Sequence, residues 1–235
     1  MSTPPREEAP YRLEYEAFAR FIKGEPLGFK TTLLLGLRSL PSLLEGLIRN
    51  IPGPLGFRLR SFYYRFRMRH LGRNVLIDVG VIFSGTANIS IGDYTWIDSY
   101  CKFEAMLGEI RIGSHVHVAP FVVIGTREPV VIEDYAAVAA GARIYSNSER
   151  PHGGKRMSGP MVPEEHKAFY SAPVYVRRDA VVCTNAVLLP GAELCEGSVL
   201  GANSVLKGRL EPWVIAAGAP ARAIGKRDPV DVPPF

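Results

Sequence analysis

The sequence predicts a mainly β protein built as a parallel β-helix, with an N-terminal helical segment and one protruding loop. Three observations carry this reading. Aliphatic or aromatic residues recur at every sixth position from about Leu71, small or aliphatic residues often follow four places later, and one long break interrupts the pattern between Ile144 and Val174.

Composition sets the frame. With 235 residues, 47% of them hydrophobic and 22% charged, the chain can bury one large domain with a smaller appendage. Cys101, Cys183 and Cys195 are widely spaced and include no CxxC pair, which argues against a disulfide framework or structural zinc and suits a reducing cytoplasm. The N-terminus MSTPPREEAP is too polar and acidic for a secretory signal. The apolar stretch Leu33–Ile48 is broken by Arg38, Pro41 and Glu45, and falls short of the roughly 20 apolar residues of a membrane span.

Residues 1–70 form the helical, basic segment. Tyr11–Lys23 and Phe29–Asn50 have amphipathic helical spacing, the second interrupted by Pro41, and Ile51-Pro-Gly-Pro-Leu-Gly56 is a breaker. Phe57–His70 is rich in arginine and aromatics. Such a stretch can cap the open end of a β-helix, or lie on an anionic membrane surface. A net charge of +5 also raises nucleic acid as a partner, but no recognisable nucleic-acid-binding module is present, and none is expected to bind.

The coil occupies 71–215, with the loop at 145–173 and a tail at 216–235. Its hexads read Leu71, Ile77, Phe83, Ile89; after a slip of two, Ile91, Ile97, Phe103; then Ile112, Val118, Ile124; Ile132, Val138, Ile144; and Val176, Val182, Leu188, Leu194, Leu200, Leu206. Thr95, Val116, Val122, Ala136, Ala142, Ala180, Ala186, Ala192, Ser198 and Ser204 sit four places on. A period of six fits neither a helix nor a simple alternating strand. It fits short strands joined by tight corners, one side chain per face pointing to a narrow axis. An ordinary β-sandwich would instead alternate with period two between turns.

The hexads Ile91-Gly92-Asp93, Ile112-Gly113-Ser114 and Leu200-Gly201-Ala202 resemble those of the hexapeptide-repeat acyltransferases over roughly residues 71–227. The resemblance implies a left-handed parallel β-helix, a homotrimer with active sites between subunits, and acyl transfer from acetyl-coenzyme A without a metal. Left-handedness rests on the resemblance alone, since parallel crossovers otherwise favour the right hand.

Acyl transfer from a thioester needs a base for the attacking hydroxyl or amine, and histidine titrates in the useful range. In the resembling family a histidine opens this loop. Here Glu149 holds that position and His152 follows three residues later. The run Ser148-Glu149-Arg150-Pro151-His152-Gly153, then Met157-Ser158-Gly159-Pro160-Met161-Val162-Pro163, is similar to a sugar-acyltransferase subgroup with an acidic residue in the site. The resemblance implies His152 as base with Glu149 orienting it or contacting the acceptor; Glu149 itself and His166 are the other bases open. Glu104, at a shorter departure from the repeat, and His166 are expected to bind the acceptor. Some β-helical carbonic anhydrases hold zinc with three histidines, but the spacing of His115, His117 and His152 does not match theirs.

The ending Gly201-Ala202-Asn203-Ser204-Val205, Leu210-Glu211-Pro212-Trp213 and Ala216-Ala217-Gly218-Ala219-Pro220-Ala221-Arg222 resembles the family's coenzyme A-binding end. It implies that Thr184, Gly201, Ala202, Ser204, Lys207, Ala217, Gly218 and Pro220 line the donor. Arg222, Lys226 and Arg227 would face its phosphates, to which cations bond well. The expected function is therefore transfer of an acetyl or other acyl group to a hydroxyl or amine of a nucleotide- or lipid-linked sugar precursor of a surface polysaccharide. The expected place is the cytoplasm, with contact at the inner membrane face. A non-catalytic β-helical scaffold is the alternative.

Overall fold

The computed structural model describes residues 12–157, 159 and 162–233. Ser158, Pro160 and Met161 of the loop motif, and Tyr11 of the first expected helix, lie outside the described residues. The chain divides into two compact units, Arg49–Asn147 with Ser171–Phe235, and Met1–Ile48 with Ser148–Tyr170.

The first unit is the coil. Its three faces are parallel sheets of 7, 8 and 6 strands, starting respectively at His70–Leu71, Leu76–Ile77 and Ile82–Ser84. The 8-stranded second face closes with Ala221–Lys226, which runs antiparallel to Val214–Gly218. Each strand is only two or three residues long through most of the coil, because a corner follows every hexad. Many corners place their second residue at positive φ: Asn74, Tyr94, His115, Tyr135, Asp179 and Trp213 between the first and second faces, and Tyr100, Phe121, Asn185 and Asn203 between the second and third.

The hexad residues form one interior. Val182, Leu188, Leu194 and Leu200 belong to a single buried cluster with Ile77, Ile97, Phe103, Ile124 and Ile144. The small residues four places on are buried too, from Thr95 and Val116 to Ala192, Ser198 and Ser204. Burial of each large aliphatic residue contributes about 1.5–3 kcal/mol relative to exposure.

Register explains the slip at Ile89–Ile91. On the first face Leu71 pairs with Ile91, Ile91 with Ile112, Ile112 with Ile132 and Val176 with Leu194. Ile132 pairs with Val176, across the whole loop. The early coils therefore carry two or three residues more than three hexads. The surplus falls at the corner between the third and first faces, where both Ile89 and Ile91 turn inward. That corner also emits the long loop.

Helix α3, Gly53–Arg65, lies across the first coil. Tyr64 packs edge-on against Phe83, with ring centroids 4.8 Å apart. Arg60 is fully buried and donates to the carbonyls of Ile77 at 2.8 Å, Ile51 at 2.7 Å and Arg49 at 3.3 Å. Ser61 Oγ donates to Val75 O at 2.7 Å. These bonds occupy backbone groups of an otherwise open strand edge, so Phe57–His70 supplies the cap that its composition allowed.

The second unit contains α1, Arg12–Ile22, and α2, Phe29–Arg49. Arg38 pairs with Glu14 at 3.3 Å. Contrary to the sequence expectation, α2 runs through Pro41 without interruption. Proline removes one intrahelical bond, but apolar residues keep helical spacing on both sides of it. No helix among the described residues is long and apolar enough to cross a membrane.

Candidate active site

The loop grows from a fixed root. Strand Arg143–Tyr145 on the third face leads into Ser146, which is fully buried. Ser146 Oγ accepts from the backbone N–H of Arg127 at 2.9 Å and of Glu128 at 3.0 Å, and donates to Glu128 O at 2.7 Å. Ala172 N donates to Ser146 O at 3.0 Å, so the chain returns to where it left. Gly125 makes room beside this root. A Cβ there would stand 2.9 Å from the Tyr145 ring and 3.8 Å from a Glu104 carboxylate oxygen. Ser84, Glu104, Gly125 and Tyr145 thus form one row across the third face. Glu104 is half-exposed there and pairs with Lys102 at 2.7 Å.

The loop has structure of its own. Asn147–Glu149 and Phe169–Ser171 pair as a two-stranded sheet, and Arg150 N donates to Ala168 O at 2.8 Å. Farther out, a 3-10 turn spans Glu164–His166, whose last carbonyl accepts from Arg156 N at 2.9 Å. Glu149 is half-buried on the stem strand, whereas His152 and His166 are exposed. No hydrogen bond among the described residues joins Glu149 to His152.

The donor candidates gather at the corner between the second and third faces. Asn203 N donates to Thr184 O at 2.9 Å, Gly201 N to Ala216 O at 2.8 Å, and Gly218 N to Ser204 Oγ at 2.9 Å. A Cβ on Gly201 would meet that of Ala217 at 3.1 Å. Thr184, Gly201, Ala202, Ser204, Ala217 and Gly218 therefore come from three successive coils onto one edge of small residues, the surface a narrow ligand can approach closely. Arg222 pairs with Ala217 across the final strands and is exposed at the same end, two residues from Pro220. Lys226 pairs with Val214 at the opposite end of the sheet, and Lys207 follows strand Val205–Leu206 at the next corner. Arg227, expected at phosphates, is instead bonded to the carbonyls of Asp179 at 2.8 Å and Gly197 at 3.4 Å, over the Trp213 ring.

Two further features were not assigned from sequence. His117 Nε2 lies 2.8 Å from Asp98 Oδ2, on the outside of the second face beside Trp96. His115 stacks between Tyr94 and Tyr135 at the neighbouring corner. The signal for the His117 pair was available: residues about one coil apart are lateral neighbours. An open groove of about 450 Å³ on the first face is lined by Glu133, Arg177, Glu193 and Arg209, whose charges pair with one another. No group of three or more metal-ligating side chains occurs among the described residues.

Burial pushes the Cys101 thiol up to about 12, and raises Cys183 and Cys195 as well. The folded protein is expected to react slowly with a disulfide reagent near neutral pH, and all three thiols quickly once unfolded in guanidinium. A rapid first-phase signal of one thiol or more per folded chain would contradict this.

No protein-family profile matches the chain. Over 159 residues it is 35% identical to dTDP-4-amino-4,6-dideoxy-D-glucose acyltransferase of Escherichia coli, covering 68% of this chain and 82% of that one. The chain belongs to the hexapeptide-repeat sugar acyltransferases. This acyltransferase is also 23% identical to the putative colanic acid biosynthesis acetyltransferase WcaF of Escherichia coli strain K12, over 73% and 76% of the two chains. Among solved structures it is similar to AntD, an N-acyltransferase from Bacillus cereus in complex with dTDP and 3-hydroxybutyryl-CoA. The TM-score is 0.67 at 26% identity, covering 72% of this chain and 88% of that one. The hexapeptide-repeat acetyltransferase VCA0836 of Vibrio cholerae, at 20% identity and a TM-score of 0.57 over 89% and 97%, supports the fold alone. The acyltransferase is a left-handed parallel β-helix with an N-terminal helical segment.

Proposed function

We propose that this coenzyme A-dependent sugar acyltransferase moves an acetyl or related acyl group to a sugar carried on a nucleotide, with an amino group of a dTDP-linked sugar as the favoured acceptor. The single observation behind the donor half is the edge of small residues built by Thr184, Gly201, Ala202, Ser204, Ala217 and Gly218. The acceptor half is supported by the relatives, one an acyltransferase of dTDP-4-amino-4,6-dideoxy-D-glucose and one bound to dTDP. The product would enter a surface polysaccharide, and the enzyme would work as a homotrimer in the cytoplasm, at the inner face of the membrane.

The thioester, when bound, supplies the activated acyl group. The chain's residues do the rest: Arg222, the cation at the donor edge, neutralises phosphate charge, Pro220 shapes the turn beside it, and Glu104 and His166 hold the acceptor. His152 removes the proton of the attacking amine, with Glu149 positioning it or the acceptor. A second base has its own support: His117 is the imidazole a carboxylate already orients, through Asp98 at 2.8 Å.

The test is thioester consumption, followed by free thiol, across nucleotide sugars with and without an amino group. Ala202→Glu, at an exposed site, is expected to raise KM for the thioester at least about tenfold, or ~1.4 kcal/mol, with the sugar KM unchanged. His152→Ala is expected to lower kcat by about 10²–10⁴. Near wild-type turnover in His152→Ala with loss in Glu149→Gln moves the base to Glu149. Loss only in His117→Asn moves it to the coil.

A further inference from the structure

The protruding loop carries a basic, glycine-rich turn. Arg150-Pro151-His152-Gly153-Gly154-Lys155-Arg156 sets three cations and a histidine close together, and no Asp or Glu follows until Glu164. Gly153 and Gly154 stand in succession at φ +96° and +65°, backbone that glycine adopts readily and other residues do not. The whole of 152–156 is exposed, and a Cβ on either glycine would meet no atom within 4 Å. The N–H groups of both glycines have no hydrogen-bond partner among the described residues. Successive backbone N–H groups in such a turn make a concavity suited to an anion.

The cations beside this concavity are positioned without being neutralised. Arg156 N donates to His166 O at 2.9 Å, and Lys155 Nζ donates to Glu165 O at 2.9 Å. Both acceptors are backbone carbonyls of the 3-10 turn, so the basic run is fastened to Glu164–His166 with its charge unspent. No ion pair among the described residues joins Lys155 or Arg156 to a carboxylate. Arg150 stays at the stem, over the Tyr170 ring at 5.9 Å from its centroid. Adjacent like charges repel, and a bound anion relieves that repulsion.

We infer that Gly153–Arg156 grips the diphosphate of the acceptor, through the two glycine N–H groups, the Lys155 ammonium and the Arg156 guanidinium. The inference rests on the nucleotide-linked acceptor proposed above. Guanidinium bonds two phosphate oxygens at once, and an ammonium adds a second positive charge. The donor carries phosphates too, but Arg222 stands at its own edge. This turn instead begins at His152, the proposed base, and is bonded to His166, the proposed acceptor contact. In a nucleotide sugar the diphosphate is bonded to the ring that bears the attacking amine. Base and anion site must therefore be neighbours, as His152 and Gly153 are in the chain.

The test is calorimetric titration of the full-length protein with dTDP, thymidine and coenzyme A. The wild type should bind dTDP at least about tenfold more tightly than thymidine, and less tightly as salt rises. Lys155→Gln with Arg156→Gln should weaken dTDP on the order of 100-fold, about tenfold for each charged bond, and leave thymidine and coenzyme A unchanged. Gly153→Ala with Gly154→Ala should weaken dTDP as well, although it removes no charge. Circular dichroism of both variants should match the wild type, because the loop is exposed. A charge variant that binds dTDP as the wild type does overturns the inference. So does a loss that falls on coenzyme A instead, since the anion is then the donor's, and so does a wild type that prefers thymidine or fails to distinguish the two. If the charge variant loses dTDP while the wild type turns over no nucleotide sugar, the anion site stands and the acceptor reading fails. Turnover of a dTDP-linked amino sugar with an unchanged KM in the charge variant keeps the acceptor reading and overturns the inference.

Discussion

Replacing Arg150–Ala168 with two glycines is expected to abolish acyl transfer and leave the β-helix folded. The fold half follows from the root of the loop. Ser146 is tied to Arg127 and Glu128, Ala172 returns to Ser146, and Val174 re-enters the first face beside Val130. None of these contacts uses the excised residues. Arg150 N and Ala168 O are bonded at 2.8 Å, so two residues can close the gap, and shortening a loop changes closure entropy only slowly. The activity half follows from the proposed roles of His152 and His166, and a loss of about 10³ or more in kcat is expected when base and acceptor contacts go together. The measurements are circular dichroism with thermal melting, and thioester turnover. A folded variant that retains more than a tenth of wild-type kcat removes His152 and His166 from the mechanism and leaves Glu149 or His117 as the base.

Arg60→Leu is expected to be the most destabilising single change in the cap. Its guanidinium is buried against the carbonyls of Ile77, Ile51 and Arg49, and burial lowers its pKa while the Asp78 charge raises it. Leucine fills comparable space but leaves these acceptors without that donor, at roughly 1–3 kcal/mol for each one that water cannot reach. The helix cannot shift to compensate. Gly56 lies so close to Ile51 that a Cβ would stand 1.8 Å from its carbonyl oxygen. A loss of about 3–5 kcal/mol is expected, lowering Tm by roughly 10 °C or more. Arg60→Lys should recover part of it, since one ammonium cannot reach all three carbonyls. A loss under about 1 kcal/mol for Arg60→Leu would show that α3 is not a structural cap.

The site was legible in part. The break after Ile144 located the loop, and the C-terminal motif named residues that the coil brings onto one edge of small side chains. Neither showed that Thr184 lies against Asn203, that Lys207 sits one corner away, or that Arg227 is held by Asp179 and Gly197. The Asp98–His117 pair, by contrast, could have been read from its spacing, because its members are about one coil apart.

What the sequence determined by itself was the inside and outside of the coil. A side chain's turn toward the axis depends only on its place in the hexad, so Val182, Leu188, Leu194 and Leu200 could be read into one interior without knowing their neighbours. What only the tertiary structure decided was which coil meets which. The step from Leu71 to Ile91 differs from that between Ile91 and Ile112, and the step from Ile132 to Val176 spans the loop. Backbone hydrogen bonds between stacked strands set these registers, and extra residues at one corner change the step without disturbing the hexads on either side.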